Sequence, residues 1–392
     1  MHIGLIGTRG VPARYGGFET AIEEVGTRLA DAGHRVTVFC RGAEEKVPSY
    51  RGMELVHLPA LPKRSLETLS HTALSVLHRS LCGMDAAIVF NSANAPFLPV
   101  LRARRIPVAT HVDGLEWRRA KWGPAGRRYY RMAESLAVRW SDALIADAQG
   151  IADYYTHEFA APTRLIAYGA PILAHSAPEL LEPLGLEPQG YHLVVARFEP
   201  ENHVLEIVKG YVASSATRPL VVVGSAPYAD AYIQAVREAV DDRVRLLGSM
   251  WDQDLLDALY ANALTYLHGH SVGGTNPSLL RAAGAGAPVC AYDVGFNREV
   301  VAEHGRYFVD PAGVARCVED AEGAPCVASE RGSALREDIR RYDWDTVAGG
   351  YEALCADLAA GRCAVRRPSG RRLTRGAALG TALPATSLSA AR

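Results

Sequence analysis

Short apolar runs alternate with longer stretches of helical period along almost the whole chain. His2–Ile6, Arg35–Cys40, Glu54–Leu58, Ala86–Phe90, Pro107–Thr110, Ala143–Ala146 and Thr163–Ala167 read as strands. Between them, Phe18–Ala32 and Leu66–Leu81 carry the amphipathic spacing of helices, and Gly33-His34 reads as the stop before the second strand. Apolar runs separated by helices are the mark of a mostly parallel sheet wrapped by helices. The alternation breaks over residues 171–190, PILAHSAPELLEPLGLEPQG, which holds four prolines and no clear period and reads as an interdomain linker. It restarts with the runs Tyr191–Ala196, Pro219–Val223, Arg243–Leu247, Leu264–Leu267, Pro288–Ala291 and Arg306–Val309. The expected organisation is two Rossmann-like α/β halves, 1–170 and 171–345. A crossover helix at 346–361, overlapping the helical run Trp344–Ala360, and a tail at 362–392 follow. The tail is rich in Arg, Ala, Ser and Gly, so it is expected to be disordered, with six arginines between Arg362 and Arg375 that could touch anionic lipid.

At 392 residues the chain has room for two domains. Hydrophobic residues make up 48% and charged residues 22%, which excludes wholesale disorder and a fibrous class. Forty-two Lys and Arg against 43 Asp and Glu leave a formal charge of -1, so nothing points to nucleic acid as a partner. The seven cysteines are odd in number and lack C-x-x-C spacing, which argues against a zinc ribbon or a secreted disulfide scaffold. The opening MHIGLIG lacks the basic lead of a signal peptide, and no uncharged apolar run approaches the ~20 residues of a membrane span. The expected location is therefore the cytoplasm.

Four segments at strand ends carry candidate chemistry. After the first strand, Gly7-Thr8-Arg9-Gly10 and Tyr15-Gly16-Gly17-Phe18-Glu19 make a glycine-rich turn that opens a helix. The free N–H groups there suit an anionic or sugar ligand, although the paired glycines could equally serve a tight turn. The spacing is not G-x-G-x-x-G, so a nicotinamide cofactor is disfavoured. His111-Val112-Asp113 follows the run Pro107–Thr110, where open parallel sheets place ligands, and His111 and Asp113 can both hydrogen-bond one substrate hydroxyl; on the residues alone, an ordinary loop with exposed polar groups is the simpler reading. Arg197 ends the first strand of the second half, and it could clamp a diphosphate or pair with Glu199 or Glu201. His268-Gly269-His270 leads into Gly273-Gly274-Thr275-Asn276-Pro277-Ser278, where Thr275 and Asn276 can cap the next helix. The His-x-His pair lacks a third ligand at zinc spacing, so no metal is expected. Arg127, Arg128, Arg131 and Arg139 lie among Tyr129, Tyr130 and Trp140. That helix is either a contact for a membrane surface or a charged outer face over an apolar side containing Met132 and Leu136.

GTRGVPARYGGFET, HVDGLEWRRAKWG, ARFEPEN, HGHSVGGTNPSLL and AYDVGFNREV, in that order, resemble the bacterial rhamnosyltransferase-type members of glycosyltransferase family 4. The resemblance implies the GT-B architecture, with two Rossmann-like domains facing a cleft and a C-terminal helix crossing back to the first. It implies a retaining, metal-independent glycosyltransferase without cofactor. Its donor would be a nucleotide-sugar, dTDP-rhamnose or a UDP-sugar, held by the second half. Its acceptor would be a lipid-linked or other saccharide, held by the first half at the inner face of the membrane, in cell-surface polysaccharide biosynthesis. Arg197 matches the arginine that grips the donor diphosphate, and the loop Gly273, Gly274, Thr275 and Asn276 stands at the donor. His203, beside Asn202, stands where the wider family commonly has a lysine. His111 falls near a cleft histidine or asparagine, with Asp113 in the same loop, and this pair is expected to be catalytic. Gly16, Gly17 and Glu19 match the loop that approaches donor phosphate and acceptor. The family's paired glutamates, E-x7-E, fall on Gly273 and Arg281 here, so Arg281 is expected either to meet the diphosphate or to point away from the cleft. Those departures raise one alternative, a catalytically weakened relative acting as a binding or assembly protein; a second is a nucleotide-sugar epimerase, which uses the same two-domain cleft but needs no acceptor.

Overall fold

Two sheets organise the computed structural model, which describes residues 1–13, 17–42, 46–62, 66–112, 114–225, 230–363 and 368–373. The first contains β1 (His2–Ile6), β2 (Arg35–Cys40), β3 (Ser49–Tyr50), β4 (Met53–His57), β5 (Ala86–Phe90), β6 (Val108–His111), β7 (Ala143–Ala146) and β8 (Arg164–Leu165), in the order β3-β4-β2-β1-β5-β6-β7-β8. Every pairing in it is parallel except β3 with β4. The second contains β9 (His192–Val195), β10 (Leu220–Val223), β11 (Val244–Gly248), β12 (Thr265–His268), β13 (Val289–Tyr292) and β14 (Arg306–Phe308). All its pairings are parallel, in the order β11-β10-β9-β12-β13-β14.

All five residues of β1 and of β5 are buried. Strands covered by helices on both faces have no solvent side to alternate toward, so apart from His2, whose ring pairs with the Thr37 hydroxyl, these residues are apolar. In the first sheet the chain runs outward one way from β1 and the other way from β5; in the second it does the same from β9 and β12. Each reversal opens a crevice beyond the carboxyl ends of the two central strands, which is where open α/β sheets hold ligands. The loops that matter are therefore those after β1, β5 and β6 in one sheet and after β9 and β12 in the other.

The two halves are joined at one side by packed apolar residues. Ile166, Tyr168 and Ala170 share a core with Trp344, Val347, Tyr351, Leu354, Cys355 and Leu358 of the helix Trp344–Ala359. That helix lies on the helix Gly17–Asp31, with His34 Nε2 2.8 Å from Glu352 and Arg28 Nε donating to Asp345 at 2.6 Å. The aperiodic stretch 171–190 is packed as well: it holds the short 3-10 turn Pro178–Leu184, and Leu181 is fully buried.

Two expectations change. On the helix Pro124–Trp140 the aromatics face the protein, not a membrane: Tyr130 is buried against Trp122, and the Tyr129 hydroxyl donates to the Ala93 carbonyl at 2.7 Å. At 100° per residue those positions share a side with Ala133 and Ala137, which leaves Met132 outward and 47% exposed. The second change concerns only residues 368–373 of the tail, which are docked on this helix and the next, Gln149–Phe159; residues 364–367 and 374–392 lie outside the described residues. Low apolar content fits disorder only when no polar anchor exists, and Arg372 is such an anchor.

Candidate active site

Parallel pairing brings the carboxyl ends of β1, β5 and β6 to one edge. Gly7 leaves β1 with φ +104°, and a Cβ there would sit 2.5 Å from the Phe90 carbonyl oxygen, so only glycine lets the loop cross the end of β5. Glu19, in the first turn of the next helix, turns back into its own domain and accepts from the Arg9 N–H at 3.1 Å. Gly16 and Asp113 lie outside the described residues. His111 closes β6 and is wholly buried among Phe18, Phe90, Tyr168 and Tyr351. Its Nδ1 lies 3.0 Å from the Tyr351 hydroxyl, while Nε2 finds no partner among the described residues. Burial pushes its pKa down to about 3, so the imidazole is neutral at physiological pH.

At the facing edge, Arg197 follows β9 with its Nη2 3.7 Å from Glu199. Asn202 orders this loop. Its Nδ2 donates to the Arg197 carbonyl at 2.8 Å, which turns Oδ1 toward His270 Nδ1 at 2.6 Å and makes that nitrogen the donor. Burial, with Arg119 and His268 nearby, holds the His270 pKa well below the usual value. His203 does not reach out as a lysine would: Nδ1 donates to the Gly269 carbonyl at 2.8 Å and the ring stacks on Tyr292 at 4.1 Å. Gly273 takes φ +144°, a region essentially closed to other residues. Asn276 caps the helix Pro277–Gly284 by accepting from the Ser278 N–H at 2.9 Å. Arg281, one turn in and partly exposed, is engaged by a neighbouring helix: it forms a two-pronged ion pair with Asp257 of the helix Gln253–Asn262, Nη2 donating at 2.8 Å.

The two edges touch. A Cβ on Gly114 would lie 2.6 Å from the Gly273 Cα, and one on Gly274 would lie 2.7 Å from both Asp147 Cγ and Ile151 Cδ1. Thr275 donates its hydroxyl to the Asp147 carbonyl at 2.6 Å, and Gly17 faces the Pro277 ring. Arg119 reaches from the first domain to Glu201 at 3.4 Å and Glu199 at 3.6 Å while pairing with its neighbour Glu116. Glu116 also meets Lys121 at 2.9 Å and accepts from Trp122 Nε1 at 3.2 Å. Burial alone would raise its pKa, but Arg119 and Lys121 reverse the sign and hold it below the usual carboxylate value. Glu299 of the second domain accepts from the N–H groups of Gln149 and Gly150 at 2.8 and 2.9 Å, at the positive end of a first-domain helix.

The structure thus brings His111, Gly17, Asn202, His203, Gly273, Gly274, Thr275 and Asn276 to the two facing edges, with Arg197 on the second. It ties Arg281 to a neighbouring helix and Glu19 to its own loop. Asp147, Glu299 and Tyr351 were not visible in the sequence, because each acts on a partner in a distant segment.

Residues 16–169 match the family described as Glycosyl transferase 4-like domain, and residues 191–322 match Glycosyl transferases group 1. With two doubly wound sheets meeting edge to edge, the chain is a glycosyltransferase of the GT-B type. Its structure is similar to sucrose-phosphate synthase from Thermosynechococcus elongatus, 21% identical over 92% of this chain and 99% of that one, with a TM-score of 0.79. It is also similar to HepE of Anabaena, solved with UDP and glucose, at 17% identity over 91% and 100% of the two chains and a TM-score of 0.74. An alpha,alpha-trehalose-phosphate synthase (UDP-forming) from Burkholderia xenovorans, solved with glucose-6-phosphate, gives 11% identity, 91% and 100% coverage and a TM-score of 0.69. No curated protein matches the chain in sequence.

Proposed function

We propose that the chain transfers a sugar from a nucleoside-diphosphate donor to a hydroxyl of a saccharide acceptor, with retention of configuration and without a metal. The observation that carries this reading is the meeting of the two crevices, with β6 ending on His111 and β9 leading to Arg197, across the Gly114–Gly273 contact. Arg197 offers a planar fork of donors suited to a diphosphate. His111 is buried and neutral, so it can exchange a hydrogen bond with a sugar hydroxyl but carries no charge with which to neutralise phosphate. Asp113 is the acidic group of the same loop and our choice for a contact to the sugar or acceptor. UDP and glucose in HepE, and glucose-6-phosphate in the trehalose-phosphate synthase, support a nucleotide-sugar and a saccharide as the ligand classes.

The resemblance narrows the donor to dTDP-rhamnose, or a UDP-sugar, and the acceptor to a lipid-linked saccharide of cell-surface polysaccharide assembly. No described helix is long and apolar enough to cross a membrane, so such an acceptor would be met at the surface of the bilayer. Mass-spectrometric assay of dTDP-rhamnose and UDP-sugars with a lipid-diphosphate saccharide tests the reading. Product should appear with one donor, and Arg197→Ala should weaken donor binding about tenfold to a hundredfold, the loss of hydrogen bonds to a charged group. Failure of every donor to bind refutes it. The Arg281–Asp257 pair favours a second reading, a relative with weakened donor binding. Conversion of donor alone to an isomer would instead indicate an epimerase.

A further inference from the structure

The helices Pro124–Trp140 and Gln149–Phe159 bury two carboxylates, Glu134 and Glu158, only 2% and 5% exposed. Buried charges need partners, and the cation that meets both comes from the far end of the chain. Arg372 Nη1 donates to Glu158 at 3.0 Å and to the Tyr154 hydroxyl at 2.8 Å. Its Nη2 donates to Glu134 and to the Arg131 carbonyl at 3.2 Å. The guanidinium carbon lies 4.7 Å from the centre of the Phe159 ring, close enough for a cation–π contact. Four acceptors and an aromatic face therefore receive one side chain. A lysine has no planar fork to reach them together. The backbone joins in: the Leu373 N–H donates to the Glu158 carbonyl at 2.7 Å, and Gly370 adopts φ +71° where a Cβ would sit 3.0 Å from Arg139 Cβ.

We propose that Glu134, Tyr154, Glu158 and Phe159 form a guanidinium socket whose occupant is Arg372 of the chain's own C-terminal segment. Residues 368–373 then act as a strap that fastens two first-domain helices to each other. The position has a consequence for the cleft. The second of those helices begins at the Gln149 and Gly150 N–H groups that Glu299 caps from the other domain, and the first is preceded by the loop that carries Arg119. The strap thus braces the elements that supply the first domain's half of the interdomain contacts.

Hydrogen–deuterium exchange on the full-length chain tests the proposal, comparing wild type, Arg372→Ala, Arg372→Lys and Glu134→Gln/Glu158→Gln. Arg372→Ala should abolish protection of the Leu373 amide, and Arg372→Lys should retain only part of it. On the double-glutamine background Arg372→Ala should add nothing further. The peptide Pro-Ser-Gly-Arg-Arg-Leu, residues 368–373, supplied in excess, should restore protection of helices 124–140 and 149–159 in the Arg372→Ala chain. The same peptide with alanine at its second arginine should not. Unchanged Leu373 protection in Arg372→Ala, equal effects on both backgrounds, or equal rescue by both peptides would each overturn the socket.

Discussion

Replacing Gly114 by alanine should hold the two domains apart. Gly114 has no left-handed φ, so the substitution carries no backbone strain of its own. Its Cβ would lie 2.6 Å from the Gly273 Cα, in the other domain. Carbon atoms pack at roughly 3.5–4.0 Å, so the two backbones must separate by about 1 Å. Overpacking of this kind costs about 1–3 kcal/mol. A neutral hydrogen bond such as Thr275 to Asp147 contributes only ~1 kcal/mol. The clash therefore matches or exceeds a single closing contact, and a penalty of about 1–3 kcal/mol shifts the closed-to-open ratio by roughly 5- to 150-fold. Small-angle scattering, or distances between one fluorophore on each domain, should report a more open chain. Gly17→Ala is the control, since its Cβ would lie 3.1 Å from the flexible end of the Pro277 ring and asks for only a few tenths of an ångström. The reasoning fails if Gly114→Ala is as closed as wild type, or no more open than Gly17→Ala.

Arg119→Ala removes the cation shared by Glu116, Glu199 and Glu201; with its side chain only 12% exposed, the loss should cost about 3–5 kcal/mol, read as a lower denaturant midpoint and a larger radius of gyration. An unchanged midpoint would show that the carboxylates do not depend on it. Burial depresses His111 and His268 to about 3 and His71 to about 4, so the unfolded chain takes up protons that the native state refuses. Stability should be full above pH 6.5 and fall as pH drops toward 4, by about 1.4 kcal/mol per unit for each fully responding histidine, and flat denaturation midpoints between pH 7 and 5 would contradict this. Arg281→Glu sets a carboxylate against Asp257, so it should destabilise by about 1–3 kcal/mol in thermal or chemical unfolding, and a neutral result would mean the pair contributes nothing.

The strands most legible in the sequence are those buried on both faces. β1, β2, β5 and β7 begin and end where the runs read from the sequence do, because a parallel interior is largely apolar, and Arg41, Asn91 and Asp147 mark the exits of the last three; His2, Arg35 and Thr37 are the polar exceptions. β3, two residues at an antiparallel edge, carries no such run. Candidate site residues at strand ends were readable for the same topological reason. Their roles were less so. His203 and Arg281 stand at motif positions, yet their contacts are set by Gly269, Tyr292 and Asp257, which no local spacing announces. Arg372 shows the same limit from the other side: composition treats it as one of six arginines in a polar tail, and only the fold brings it to carboxylates 214 and 238 residues earlier.

The two ends of the domain interface differ in kind. Where Tyr168 and Trp344 share one core it is a continuation of that core, whereas at Gly114, Thr275, Arg119 and Glu299 it consists mainly of glycine backbone, hydrogen bonds and ion pairs, with Phe296 as an apolar contact on the first domain. Heat capacity rises with apolar surface exposed to water and falls with polar surface. Parting the glycine and polar edge while the apolar side stays packed should therefore carry almost no heat-capacity change, unlike unfolding of either domain. The balance between open and closed chains would then vary with temperature along a nearly straight van't Hoff line, without the curvature that gives folded proteins a temperature of maximum stability.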